Sequence, residues 1–112
     1  MYVTITEIKL KSIWHFFKLS QLALGITLQM KKSNGFREFK KTGFGKKHYT
    51  ISQWDSQIDM KNFATSANHL AAMNQSAKLA NKIVTLSYES ESIPEWKEAK
   101  ILLESKGKVI QW

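Results

Sequence analysis

The segment from Ser12 to Ser33 constrains the fold most, because it lacks Pro and carries apolar residues at helical spacing around most of its circumference. Two stripes run along it. The first stripe is Phe16, Leu19, Ala23, Ile26 and Met30, and the second stripe is Ile13, Phe17, Leu24 and Leu28, with Trp14 beside it. Such a helix can cover a sheet with one stripe. The other stripe then needs a second partner, which is another helix, another subunit or a ligand.

Strand-like runs precede and follow this helix. Val, Thr and Ile enrich Tyr2–Lys11, and Phe36–Phe44 and Lys47–Trp54 flank Gly45-Lys46 as a hairpin. Further helices are predicted after Asp55-Ser56, which can cap a helix, and around residues 70–80. A fourth strand is predicted at Ile83–Glu89.

The tail adds a helix and a strand. Ser92–Glu95 has the spacing of a capping box with an early Pro, Gly107 ends the helix, and Lys108–Trp112 is a short strand. The order β-α-β-β-α-β, then α-β, predicts an α+β fold. Its ferredoxin-like antiparallel sheet has helices on one face. No linker or repeat divides residues 1–112, which predicts a single domain.

The second face of such a sheet needs a cover. The sequence offers no obvious cover within the first six elements. We therefore expect two copies to pack their sheets face to face, which gives a homodimer with a barrel-like core.

Composition excludes several function classes. The chain has no Cys, so disulfides, thiolate metal sites and a Cys nucleophile are excluded. Three His without a carboxylate at ligand spacing predict no protein-bound metal. No signal peptide and no membrane-spanning segment are recognised, which predicts a cytoplasmic location.

A family resemblance rests on Thr50–Ser56, Met60, Phe63 and Ala67–Met73. These segments resemble the antibiotic biosynthesis monooxygenase superfamily, whose ferredoxin-like domains pair into a dimeric α+β barrel. Within it, the chain is most similar to spheroidene monooxygenase-like proteins. Those proteins share a strand ending in Trp-Asp or Trp-Glu, a small-x-His-x-x-Ala-Met segment and a tail like Pro94–Ala99.

The sequence departs from the haem-degrading branch of this superfamily. Phe63 stands where that branch has a porphyrin-distorting Trp, and Met73 stands where it has an axial His. The first strand offers Thr4 and Thr6 in place of an Asn. The resemblance therefore implies either no cofactor or haem held in another way.

His69 is the candidate catalytic residue. A helical His can face a cavity and act as hydrogen-bond donor, general base or haem ligand. The alternative is a structural His that braces a helix break near residues 66–68.

A flat apolar pocket is predicted from aromatic and thioether side chains, which suit a polyene, a quinone or a porphyrin. Its candidate residues are Trp14, Phe17, Trp54, Phe63 and Met73. The alternative is that these residues belong to the core or to a dimer interface.

Charge concentrates in residues 31–47, which hold seven Lys or Arg and one Glu out of a net charge of +8. This basic hairpin could attract an anionic ligand, an acidic partner, a membrane surface or nucleic acid. No nucleic-acid fold signature accompanies it, so nucleic acid is not the expected partner, and a solvated hairpin is the simpler interpretation.

The sequence thus predicts a monooxygenase-like protein that binds a flat, apolar small molecule between its sheet and its helices. The alternative is a non-catalytic ligand-binding or regulatory domain on the same scaffold.

Overall fold

The fold is taken from a computed structural model that describes residues 1–66, 69, 74–75 and 78–111. The chain begins with strand β1 and a one-turn 3₁₀ helix, and α1 follows. A hairpin of β2 and β3 leads to α2, and the chain ends with β4, α3 and β5. The bounds are β1 Tyr2–Leu10, the 3₁₀ turn Ile13–His15, α1 Phe16–Lys31, β2 Phe36–Phe44, β3 Lys47–Trp54, α2 Gln57–Ala64, β4 Ala80–Glu89, α3 Trp96–Lys106 and β5 Lys108–Gln111.

The five strands form one antiparallel sheet in the order β2-β3-β1-β4-β5. Central β1 pairs with β3 on one side and β4 on the other, which is the ferredoxin-like arrangement predicted from the element order. Ile5 lies opposite both Ile51 and Leu86, so these three side chains share one face of the sheet. We call it the rear face. The opposite face, below α1 and α2, is the front face.

Helix α3 packs on the rear face within the same chain. Ala99 and Leu103 of α3 are buried with Val3, Ile5 and Ile51 in one apolar cluster. The predicted ferredoxin-like core, with α1 and α2 on one face of the sheet, is confirmed, and the extra C-terminal helix α3 lies on the other face. An amphipathic helix after β4 lies close enough in sequence to cover the rear of β1 and β4.

Local signals explain most element ends. The Ser56 hydroxyl accepts a hydrogen bond from the amide of Asp59 at 3.2 Å, which confirms the predicted cap of α2. Gly35, at φ +79°, ends the turn after α1 in a conformation that favours glycine.

Two boundaries differ from the predictions. Strand β4 begins at Ala80, because Ala80 pairs with Leu10 beyond a register shift in β1. The predicted capping box at Ser92 does not form, since α3 begins at Trp96 with Glu95 as N-cap and no side-chain cap bond. Among the described residues, no helix is long and apolar enough to cross a bilayer.

Candidate functional site

A cavity of about 330 Å³ lies between the front face of the sheet and the helices. This volume is at the lower end of the range of about 300–1,000 Å³ for small-molecule sites. Helices α1 and α2 form its roof together with His69, and strands β1, β3 and β4 form most of its floor. Its described lining is Thr4, Thr6, Ile8, Leu19, Leu22, Ala23, Ile26, Thr27, Met30, Phe39, Thr50, Ser52, Met60, Phe63, Ala64, His69, Ile83, Thr85 and Ser87.

The floor carries a grid of six hydroxyl groups, which we call the hydroxyl floor. Two rows cross three strands in register. One row is Ser52, Thr4 and Ser87, and the next is Thr50, Thr6 and Thr85. Side chains opposite one another in antiparallel strands lie close enough to interact. A ligand on the floor therefore meets adjacent hydroxyl groups that donate and accept hydrogen bonds.

A repeated sequence pattern produces this floor. Thr4-Ile5-Thr6, Thr50-Ile51-Ser52 and Thr85-Leu86-Ser87 each place an apolar residue between two hydroxyl residues. Because side chains alternate between faces, the apolar residue packs at the rear while both hydroxyls face the cavity. The sequence interpretation missed this site, although the threefold recurrence of the pattern was a signal that could have identified it.

The floor hydroxyls form hydrogen bonds with near neighbours but do not use their full capacity to donate and accept. The hydroxyl oxygens of Thr4 and Ser87 are 2.9 Å apart, and those of Thr6 and Thr85 are 3.4 Å apart. The Thr4 hydroxyl also donates to the thioether of Met60 at 2.7 Å. The Ser52 hydroxyl accepts a bond from Nε1 of Trp54 at 3.1 Å. A hydroxyl can donate one hydrogen bond and accept two, so the floor retains capacity for a ligand or for water.

The roof is apolar. Leu19, Ala23, Ile26 and Met30 of the first stripe line the cavity, so the first stripe is the one that covers the sheet. Phe16, the remaining member, instead stacks on His48 with ring centroids 5.0 Å apart. No Asp, Glu, Lys or Arg belongs to the described lining. The site therefore combines a polar floor, an apolar roof and uncharged walls.

His69 is the titratable group of the described lining. Burial lowers the pKa of its imidazole from the usual 6.5, and the backbone carbonyl of Ala64 partly opposes that shift. The imidazole is therefore neutral at pH 7. Its Nδ1 is buried without a hydrogen-bond partner among the described residues. Because His69 lines the cavity, its neutral imidazole is a candidate proton acceptor for a ligand.

Contacts with Phe63 and Ser66 position His69. Its ring stands edge-on to that of Phe63, with centroids 5.1 Å apart. The hydroxyl of Ser66 accepts a bond from the side-chain amide of Gln29 at 3.2 Å and a long contact of 3.4 Å from the amide of His69. These contacts tie the His69 segment to α1 and α2.

The predicted site residues are distributed as follows. Phe63 and His69 line the cavity together. Trp54 does not line it: its ring is 1% exposed and packs against Phe63 and Phe36. Trp14 and Phe17 lie on the outer surface and do not line the cavity either. Met73 lies outside the described residues.

The lining does not fit haem well. His69 offers one imidazole, but the described lining holds no Arg or Lys to pair with the carboxylates of a porphyrin. The thioether of Met60 already accepts a hydrogen bond from Thr4. Within the described part of the chain, no three His, Asp or Glu side chains cluster as a metal site.

Several solved structures have the same fold as this chain. A proposed antibiotic biosynthesis monooxygenase from Deinococcus radiodurans superposes with a TM-score of 0.75 at 15% identity, covering 85% of this chain and 97% of that one. One from Nitrosomonas europaea gives 0.74 at 14% identity, over 82% and 100% of the two chains. SnoaB, a cofactor-independent oxygenase from Streptomyces nogalater, gives 0.71 at 8% identity, over 84% and 97%.

No protein-family model matches the sequence, and no curated protein matches it. The identities to the solved structures are low, so the likeness concerns the fold. The chain shares its ferredoxin-like α+β fold with these structures, which confirms the fold that the resemblance implied. The closer similarity to spheroidene monooxygenase-like proteins stays a prediction.

Proposed function

We propose that this protein is a monooxygenase-like enzyme that oxidises a flat, largely apolar molecule in the cavity between sheet and helices. The observation that carries the proposal is the meeting of three features in one cavity: the hydroxyl floor, the apolar roof and neutral His69. Fold likeness to oxygenases is consistent with it, but the chemistry is argued from the site.

Among polyenes, quinones and porphyrins, the floor favours the quinone class. The oxygens of a quinone or its reduced precursor can exchange hydrogen bonds with the floor hydroxyls, while its rings pack under the roof. A polyene would cover the same hydroxyls without bonding them, which costs free energy. A porphyrin would bring carboxylates into a lining without cations.

His69 serves as the general base in this proposal. The substrate carries a CH₂ group next to a carbonyl-conjugated ring, and His69 accepts one of its protons. The carbanion then reduces O₂ and forms a C–O bond, which gives a hydroperoxide. Cleavage of the O–O bond with loss of the second C–H proton leaves C=O and water. The carbon loses four electrons and O₂ gains four, so no further reductant is required.

Oxidation of anthrone tests this proposal, because O₂ converts the CH₂ group of anthrone to the C=O group of anthraquinone and leaves one water molecule. We expect anthrone to bind and O₂ uptake to exceed the spontaneous rate. In H69A, the enhancement should fall by about 10²–10⁴-fold while anthrone binding persists. H48A is the matched control, since His48 lies outside the cavity. Equal loss in both variants would refute the assignment of the base.

A non-catalytic ligand-binding domain is the second candidate. Its supporting observation is that His69 is the only titratable group in the described lining, so no second acid or base accompanies it. Anthrone binding without O₂ uptake above background would support this candidate against the enzyme. Absence of binding would reject the cavity as a site for this ligand class.

The predicted homodimer also remains a proposal. Helix α3 leaves Tyr49, Leu86 and Tyr88 of the rear face only partly buried, and Val109 of edge strand β5 is exposed. A second copy could cover this remainder. Sedimentation at micromolar concentration should give twice the chain mass of 12.9 kDa, and a monomer would refute the proposal. A cytoplasmic location belongs to the same set of expectations.

A further inference from the structure

The outer surface of α1 is apolar and uncovered in the structure. Trp14 is 75% exposed and Phe17 is 70% exposed, and Leu24 and Leu28 continue the second stripe along the helix. A Cβ added at Gly25 would meet open space, so the backbone there also faces outward without a neighbour. Monomeric proteins rarely expose several large apolar side chains along one helix unless that surface binds something.

Charge around this stripe has one sign. No Asp or Glu occurs between Glu7 and Glu38, a span that includes all of α1. The charged residues within that span are Lys9, Lys11, Lys18, Lys31, Lys32 and Arg37. A helix with Trp, Phe and Leu on one side and only cations at its polar edge and ends has the pattern of helices that lie in a membrane interface.

More lysines gather at the end of the sheet beside the start of α1. Lys11 follows β1 and is exposed, and Lys46 is exposed in the turn of the hairpin. The backbone carbonyl of Lys46 accepts a bond from the Leu10 amide, so the hairpin turn lies at this same end.

The ion pairs of the described residues lie at the other end of the sheet. They join the amino terminus to Glu91, and Arg37 to Asp55. The end that carries Trp14 thus has lysines without paired carboxylates among the described residues, whereas the opposite end has acids together with Lys31, Lys32 and Arg37.

We propose that the outer face of α1, together with the exposed lysines beside its start, docks the protein on an anionic lipid bilayer. Trp and Phe side chains would enter the headgroup region, while lysines meet lipid phosphates. A second copy packed symmetrically on this face would bring lysines against lysines, which disfavours it as the occupant. Nucleic acid would use the lysines but would leave Leu24 and Leu28 exposed.

Docking would place the cavity next to the membrane. Helix α1 carries the exposed second stripe on its outer side and the cavity roof on its inner side. A helix with side chains is about 10–12 Å across, so the cavity would lie within that distance of the acyl boundary. This placement does not depend on the proposed oxidation.

Vesicle co-sedimentation tests the proposal. We expect binding to vesicles of phosphatidylcholine and phosphatidylglycerol, little binding to phosphatidylcholine alone, and weaker binding as salt rises. Both W14S/F17S and K11E/K18E/K46E should weaken binding by at least about tenfold. All five side chains are exposed, so both variants should fold.

Matched controls lie on α3, on the other side of the sheet. Ile101 is exposed and apolar and Lys97 is exposed and basic, so I101S and K97E should keep binding near the wild-type level. Failure to bind the anionic vesicles, or equal loss in the controls, would overturn the proposal. So would a self-association that W14S/F17S abolishes without any vesicle binding, or RNA binding tighter than vesicle binding and unaffected by W14S/F17S.

Discussion

The imidazole of His69 stands edge-on to the ring of Phe63, with centroids 5.1 Å apart and ring planes at 63°. Phe63 is itself buried against Trp54, whose ring centroid lies 5.1 Å away. An aromatic edge-to-face contact favours one ring orientation. The group that can move a proton in this cavity is therefore positioned by the aromatic core below it.

The lowered pKa of His69 makes stability and activity depend on pH. Because the folded pKa lies below the unfolded value of about 6.5, the unfolded chain binds protons first as pH falls. The free energy of unfolding should therefore decrease as pH falls from about 6.5 through the folded pKa. Activity that needs the neutral imidazole should decrease over the folded titration.

Urea denaturation at several pH values measures this effect, and the imidazole resonance of His69 gives its folded pKa directly. H69N should reduce the decrease in stability below pH 6.5, while H48N should retain it. Titration of His69 at or above its ordinary pKa would contradict the prediction.

Trp54 and Trp14 test the assignment of core and surface. W54A should lower the free energy of unfolding by about 3–5 kcal/mol, because the ring is 1% exposed and packs against Phe36 and Phe63. W14A removes a ring that is 75% exposed and should change stability by about 0.5 kcal/mol or less. Equal costs for the two substitutions, measured by urea denaturation, would contradict this assignment.

Element order was predictable because it depends on local patterns. The hairpin strands at Phe36–Phe44 and Lys47–Trp54 have the predicted bounds, since a turn with Gly45 at φ +62° joins two β-capable runs. Periodicity also showed that α1 has two apolar stripes. It did not show which stripe faces the sheet, because that depends on tertiary packing.

The site was harder to predict for the same reason. Large aromatic residues indicate burial but not what they border, so Trp54 belongs to the core and Trp14 to the surface, although both were predicted to line the pocket. The hydroxyl floor needs the register of three strands that are distant in sequence. Thr4, Ser52 and Ser87 become neighbours only once the sheet order is known.

The cover on the rear face can be tested through α3. Leu103 is 3% exposed in the cluster with Val3 and Ile5, so L103A should lower the free energy of unfolding by about 2–5 kcal/mol. I101A, on the exposed side of the same helix, should cost about 0.5 kcal/mol or less. Similar small costs for both, measured by denaturation, would mean that α3 does not seal the rear of the sheet.

The hydroxyl floor should serve ligand binding more than stability. T6V/T85V removes a facing pair whose oxygens are 3.4 Å apart, and valine keeps the shape and suits a strand. Because both partners are removed together, no unpaired group remains, and stability should stay within about 1 kcal/mol of the wild type or rise.

Ligand binding should respond in the opposite way. Loss of two floor hydroxyls should weaken binding of an oxygen-bearing ligand such as anthrone by about tenfold, because each hydrogen bond contributes about 0.5–1.5 kcal/mol. T42V, which removes an exposed hydroxyl of β2 outside the cavity, is the control and should leave affinity unchanged. Isothermal titration compares the three proteins. Unchanged affinity in T6V/T85V, with the fold intact, would mean that the ligand does not contact the floor and that the recurring hydroxyl pattern has another cause.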